Sequence, residues 1–394
     1  MASSNEIAIP EEFQDIAPVS DSEFKEKMAY LLQVPEFQSV VKFVMPDIDF
    51  DTYSKLLLNI ESKDDFQHKV MVPILNMLEA KTTTGVRSKG LAKLNDNQRF
   101  TFVTNHRDIV LDACFLNLNL FRGGHNTSEV AIGDNLLIYE WIDILVRLNK
   151  SFIVKRNLPV RQALEAAMQL SGYIHFAVND KKQSVWIAQR EGRAKDSNDR
   201  TQESLLKMLA LGGSGNIVEK FLDLNICPVA LCYEYDPNDY LKAKEFLLKK
   251  KYPDFKKSKQ DDLISMQTGI LGYKGNIVMC FANPINDAIS QIADKNNKQQ
   301  TYKDICAIID KEIHSNYEIF PNNYIAYDIL NATDRFADKY SDVQKTEFIG
   351  YLNKQLSKVD IEDLIDEDKD YMFNMMLKMY ANPLVNKLEI AGLP

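Results

Sequence analysis

The chain has 394 residues, 45% apolar and 26% charged, with a formal net charge of −9. That length exceeds one small core and predicts one large domain with an appendage, or two domains. The composition is that of a soluble globular protein, and the acidic balance argues against nucleic acid as a general partner while leaving room for a local basic patch.

The opening residues, MASSNEIAIPEEFQD, lack the basic and apolar segments of a secretion signal, and 1–20 reads as a flexible tail. Residues 21–95 read as a helical N-terminal region. SDSEFKEKMAYLLQ begins on a Ser/Asp cap and sets Phe24, Met28, Tyr30, Leu31 and Leu32 mostly on one face, with further helical pieces at 50–60 and 64–80. The run AKTTTGVRSKGLAKL, 80–94, carries Lys81, Arg87, Lys89 and Lys93 without an acidic residue. It reads as a solvated loop or as a basic lip beside an anionic ligand.

From 99 to 285 the pattern alternates. Strand-like runs at 99–104, 129–132, 151–155, 184–189, 226–233 and 276–281 are separated by helical patterns at 109–121, 138–148, 160–177, 201–211, 216–223 and 238–249. This predicts an α/β layer around a central sheet. The Lys-rich segment 250–275 reads as a loop-bearing insertion. Beyond 285 only helical patterns remain, at 286–296, 301–315, 323–338, 342–358 and 360–380, giving a helical C-terminal region over 286–394. No window of 18 residues is free of charge, so no conventional spanning helix is predicted, although lying on a membrane is compatible. The five scattered cysteines have no zinc-type spacing and an odd count; they read as reduced core residues of a cytoplasmic protein.

The five histidines differ in setting. His68 and His175 lie in helical patterns, His125 in a turn and His314 at a helix end. His106 alone sits between a strand and a helix, in RFTFVTNHRDIVLDACF, with Asp108 two residues on and Asp112 six residues on. That is the setting of a general base with a carboxylate partner. The plainer reading is a helix start capped by Asp108 with a surface histidine beside it. HExxH, CxxC, GxSxG, Walker and GxGxxG patterns are absent, so the sequence supports neither metal catalysis nor a P-loop nor a nucleophile elbow.

Three further clusters sit near strand ends. WIAQREGRAKDSNDR, 186–200, offers Gly192 for a close turn, Arg193 and Lys195 for an anion, and Glu191 for a hydroxyl, unless it is simply a solvated loop. SFIVKRN, 151–157, ends in Lys155 and Arg156, which would point to different sides of the strand. NICPVALCYEYDP, 225–237, reads as a buried strand walling a site. Strand ends of an α/β sheet gather at one edge, where sites form.

Taken together, these four clusters resemble the motif blocks of the glycerolipid acyltransferase family, which includes glycerol-3-phosphate and 1-acylglycerol-3-phosphate acyltransferases. Asn105-His106-Arg107-Asp108-Ile109-Val110-Leu111-Asp112 resembles the HxxxxD block and Phe152-Ile153-Val154-Lys155-Arg156 the arginine-ended strand. Ala188-Gln189-Arg190-Glu191-Gly192-Arg193-Ala194-Lys195 resembles the Glu-Gly block, and Ile226-Cys227-Pro228-Val229-Ala230 the proline-bearing strand. Two features depart from the family pattern. Five residues separate His106 from Asp112, with Leu111 at the usual position, so either Asp112 or Asp108 serves the histidine; Asp112 is preferred because Asp108 suits a helix cap. Arg193 stands where the family has threonine, which leaves the acceptor open.

The resemblance covers about 99–285 and implies a central mixed sheet flanked by helices in an acyltransferase domain over 96–285; the helical regions on either side rest on their helical patterns alone. It implies O-acyl transfer from acyl-CoA or acyl carrier protein to a glycerol-phosphate-type acceptor in phospholipid biosynthesis, without cofactor, metal or acyl-enzyme. His106 with Asp112 or Asp108 would do the chemistry; Arg107, Lys155, Arg156, Glu191, Gly192, Arg193 and Lys195 would bind substrate. A lipid product implies a cytoplasmic protein at the cytoplasmic face of a membrane, held peripherally through 80–94 and the lysines of 244–259. Two alternatives stand beside it: an acceptor such as an amino-acid lipid, and a catalytically silent lipid-binding module.

Overall fold

The computed structural model describes residues 7–45, 48–293, 295 and 297–393. Among them is one seven-stranded mixed sheet with helices on both faces. The strands are β1 (Gly85–Lys89), β2 (Thr101–Thr104), β3 (Glu129–Gly133), β4 (Ser151–Val154), β5 (Val185–Ala188), β6 (Ile226–Tyr233) and β7 (Asn276–Phe281). Their order across the sheet is β1-β7-β6-β2-β5-β3-β4. The five strands from β6 to β4 run parallel, while β7 is antiparallel to β6 and carries β1 parallel to itself. All eight residues of β6 and all four of β2 are buried, as expected of central parallel strands covered on both faces.

Phe102 and Val103, neighbours on β2, feed opposite layers because successive strand side chains point to opposite faces. On the Phe102 side, helices Val72–Thr82 and Leu111–Arg122 pack Leu75, Phe115 and Leu116 against Trp186, Met279 and Phe281. On the Val103 side, helices Val160–Asn179, Ile217–Leu224 and Lys298–Ser315 bring in Tyr173, Phe221, Ile305 and Ile309. Fully burying one such side chain contributes about 1.5–3 kcal/mol.

Several expectations need correction. The 1–20 tail is packed over its described part: Phe13, Ile16, Ala17 and Val19 are buried, and Ile153 N–H donates to Ile16 O at 2.8 Å. Residues 1–6 of that tail lie outside the described residues. The basic run 80–94 contains strand β1 rather than only a loop. Arg87 donates to Asn276 Oδ1 at 2.9 Å and Lys89 pairs with Glu318 at 2.5 Å, so these cations face the chain's own groups at a charged sheet edge. The insertion 250–275 holds a helix, Lys259–Leu271, started by a capping box between Ser258 and Asp261. In the 244–259 stretch, Lys249 pairs with Glu245 at 2.8 Å, Lys257 with Asp262 at 2.8 Å, Lys251 with Asp368, and Lys250 lies 4.2 Å over the Tyr371 ring. Intramolecular partners thus occupy much of the charge expected to face lipid headgroups. The helix expected over 286–296 covers Asn286–Ser290; positions 294 and 296 lie outside the described residues.

The C-terminal region is no separate appendage. Its Lys298–Ser315 helix completes one layer of the sheet, and its Asp366–Ile390 helix packs Met372, Met376 and Tyr380 against Leu247 of the Asp239–Lys251 helix. No helix among the described residues is long and apolar enough to cross a membrane.

Candidate active site

The carboxyl ends of β2, β4, β5 and β6 meet at one edge, and the first residues of β7 join them there because that strand is reversed. β2 leaves the sheet through Asn105. Its amide donates to Leu231 O at 3.0 Å and accepts from Leu231 N–H at 2.7 Å, clamping the chain to β6 where the ladder ends. The next residue is His106.

The two candidate aspartates have different environments. Asp108 Oδ1 accepts from the N–H groups of Val110 and Leu111 at 2.9 and 2.8 Å, satisfying donors at the start of the Leu111–Arg122 helix. It makes no hydrogen bond to His106. Burial, with Asp112 close by, pushes its carboxyl above the usual range. Asp112 turns back from the first turn of the same helix. Its Oδ2 meets His106 Nδ1 at 2.8 Å and accepts from the N–H groups of Arg107 and Asp108 at 2.6 and 3.1 Å. The extra residue between histidine and aspartate is thus absorbed in the Asp108 turn.

An Nδ1–H donated to Asp112 leaves the Nε2 lone pair available. Nε2 has no hydrogen bond to any described residue, and the His106 side chain is 14% exposed. Trp186 of β5 meets the imidazole edge to face at 5.8 Å, and its own Nε1–H is held by Thr104 Oγ1 at 3.1 Å. The aromatic wall fixes the ring plane while Asp112 fixes its rotation. Asp112 Oδ1 and the Tyr233 hydroxyl are both buried and close to each other; burial and that facing carboxylate hold the Tyr233 phenol well above its ordinary pKa.

The residues expected to bind substrate divide into two groups. Three cations are occupied by the chain itself. Arg107 turns away from His106 into a buried bidentate pair with Asp199, at 2.9 and 2.6 Å. Lys155 reaches back to Asp15 and Gln169, and Lys195 pairs with Glu245. Their carboxylate partners Asp15, Asp199 and Glu245 lie 140, 92 and 50 residues away in the chain. Arg156, Glu191, Gly192 and Arg193 remain at the edge. Arg156 and Glu191 form an exposed pair at 3.2 Å. Gly192 turns with φ +67°, and the space a side chain would take there is open. Arg193 Nη1 and Arg190 Nε are buried with no hydrogen-bond partner among the described residues. Arg193 lies near enough to Asp108 and Lys242 to act on both charges.

Tyr233 and Asp236, within the 225–237 run expected to wall a site, belong to this edge, and Asp239, Lys242 and Gly269 join them without having been expected there. Tyr233 ends β6. Asp236, hydrogen-bonded to Lys242, and Asp239 follow it, with Lys242 Nζ also 3.3 Å from Arg107 O. Their signal was available, because each follows a strand end. Gly269 carried no such signal: the helix bearing it lies so close that a Cβ there would overlap Asp108 Oδ2. Neither of the cavities of 780 and 610 Å³ includes His106: one lies between the N-terminal segment and the Glu140–Leu148 helix, the other along the Val160–Asn179 helix with Lys155 in its lining. Among the described residues no cluster of three or more His, Cys, Asp or Glu could hold a metal ion.

Fold and edge together define an α/β protein with a histidine–aspartate pair at the carboxyl edge of its parallel strands. Neither a protein-family model nor a curated protein matches the chain. Among solved structures it is similar to the 1-acyl-sn-glycerophosphate (LPA) acyltransferase PlsC of Thermotoga maritima. The identity is 10% and the TM-score 0.34, over 72% of this chain and 93% of that one.

Proposed function

We propose that the protein is an O-acyltransferase that moves a fatty acyl group from a thioester, acyl-CoA or acyl carrier protein, to the hydroxyl of a glycerol-phosphate-type acceptor. The observation that carries this reading is the His106 Nδ1–Asp112 Oδ2 contact of 2.8 Å, with Nε2 unengaged at the edge where the family-like blocks converge. His106 Nε2 takes the hydroxyl proton as the acceptor oxygen attacks the thioester carbonyl. The Asp112 carboxylate stabilises the imidazolium, as in serine triads but with substrate as the nucleophile. The tetrahedral intermediate collapses, the C–S bond breaks, and the imidazolium returns its proton to the leaving thiolate. An ester and a free thiol result.

Arg193 is the cation best suited to the acceptor phosphate, since its buried Nη1 is unsatisfied. Arg156 adds to it: its exposed pair with Glu191 is worth at most about 1 kcal/mol and can exchange for a phosphate. The test is free-thiol release from acyl-CoA and acyl carrier protein with glycerol-3-phosphate, its 1-acyl form and an acyl amino acid as acceptors. Release that depends on a phosphate-bearing acceptor supports the reading. Turnover with the amino-acid lipid alone would move the acceptor, and bound lipid without release from either donor would overturn the enzyme.

A further inference from the structure

The stretch after Arg193 is stitched to the C-terminal helices at successive points. Asn382 Nδ2 donates to Asp196 O at 2.7 Å, and Arg200 reaches Glu389 at 2.6 Å. Thr201 donates through N–H and Oγ1 to Asp310 Oδ1 at 2.8 and 2.6 Å. Asp199, fully buried, is held twice: its backbone O takes His314 Nε2 at 2.7 Å, and its carboxylate takes the Tyr317 hydroxyl. Both of these residues belong to the end of the Lys298–Ser315 helix and the turn after it. The same carboxylate holds the guanidinium of Arg107 on both oxygens. The backbone N–H of Arg107 donates to Asp112 Oδ2 at 2.6 Å, the oxygen that orients His106. A continuous set of buried hydrogen bonds thus runs from the C-terminal region through Asp199 and Arg107 to the histidine.

We propose that Asp199 is a positioning residue for the His106–Asp112 pair, and that the C-terminal helical region is part of the catalytic apparatus because it holds Asp199. Arg107 has two acceptors at opposite ends: Asp112 takes its backbone and Asp199 its side chain. A bidentate guanidinium–carboxylate pair constrains both distance and plane. Losing it frees the turn that presents Asp112, and misplacement of a reacting group by about 1 Å costs on the order of 100-fold in rate. Asp199 touches no reacting atom and acts only through Arg107.

This proposal rests on the acyltransferase reading for its kinetic readout, and a spectroscopic readout separates the two. In protein labelled with ¹⁵N-histidine, the proton of His106 Nδ1 held by Asp112 gives a low-field resonance, assigned by its loss in His106→Gln. Asp199→Asn, which keeps shape and loses charge, is expected to remove or shift that resonance. It is also expected to lower kcat on the order of 100-fold with little change in KM. Where Asp199→Asn does not fold, two variants carry the same test. Tyr317→Phe deletes one hydroxyl, and Arg107→Met combined with Asp199→Leu replaces the buried pair with apolar volume. An unchanged resonance and a kcat within about twofold of wild type, in any of these that folds cooperatively, overturns the proposal. If wild type transfers no acyl group, the enzyme reading fails while the resonance still tests the positioning.

Discussion

The guanidinium of Arg107 lies fork to fork on the carboxylate of Asp199, both side chains nearly or fully removed from water, 92 residues apart in the chain. This is the residue whose place beside His106 in the sequence suggests a phosphate contact. A buried ion pair adds little net stability, but removing one partner strands the other charge. Arg107→Ala is therefore expected to cost about 3–5 kcal/mol. Arg156→Ala, which breaks the exposed pair with Glu191, is expected to cost less than about 1 kcal/mol. Urea unfolding of the two variants checks the contrast; equal losses would contradict it.

Asparagine and alanine at 112 should behave differently. Asp112 Oδ2 accepts the imidazole and two backbone N–H groups together. An asparagine oxygen can take that place and keep the tautomer, losing only the charge that favours the imidazolium. Asp112→Asn is expected to lower kcat on the order of tenfold, the difference between a charge-assisted and a neutral hydrogen bond. Asp112→Ala loses orientation as well, and a drop on the order of 1,000-fold is expected. Single-turnover kinetics distinguishes them, and equal losses would count against the orienting role.

Arg193 should set acceptor affinity. Charge-assisted hydrogen bonds to an anion contribute about 1.5–3 kcal/mol, so Arg193→Ala is expected to raise KM for a phosphate-bearing acceptor by about 10- to 100-fold. KM for the thioester should stay unchanged. An unaltered acceptor KM would remove Arg193 from the phosphate site.

Asp239 makes stability depend on pH. Burial, with Asp236 beside it, pushes its carboxyl up to about 7, against hydrogen bonds from Tyr380, Tyr240 and Gln355. An unfolded aspartate titrates near 3.9. Between these values the folded chain keeps a proton that the unfolded chain has lost, so this group's contribution to stability falls as pH rises from about 4 to about 7. Asp239→Asn removes the titration. Its stability relative to wild type should therefore rise with pH across that window, by at most about 1.4 kcal/mol per unit, and level off above about 7. Urea unfolding at pH 5, 6, 7 and 8 checks this; parallel profiles would contradict it.

Where period and strand ends carried the information, the sequence was readable. Buried parallel strands such as β6 form continuous apolar runs, and the Asn105–Asp112 turn joins a strand to a helix visibly. β1 was less visible because Gly85–Lys89 is a short charged edge strand with one buried side chain, Val86. The Lys259–Leu271 helix buries only Ser265 and Gly269, which leaves almost no apolar period to detect. Phe13 and Ile16 are buried from a single 3-10 turn, Glu11–Phe13, and the turn after it, too short to show a period. The occupied cations were unreadable for another reason. Lys155 meets Asp15, Arg107 meets Asp199 and Lys195 meets Glu245, partners brought together only by the fold. A cation beside a motif looks the same in sequence whether it faces a ligand or a buried carboxylate.

His106 is proposed as the general base of acyl transfer from a thioester to a hydroxyl, and this role carries the proposed activity. It is tested most directly by free-thiol release from acyl-CoA or acyl carrier protein with glycerol-3-phosphate, comparing wild type with His106→Ala at matched folding by circular dichroism. Acceptor-dependent release by wild type, falling by a factor on the order of 100 or more in His106→Ala, is the expected result. Undiminished release in His106→Ala would contradict it.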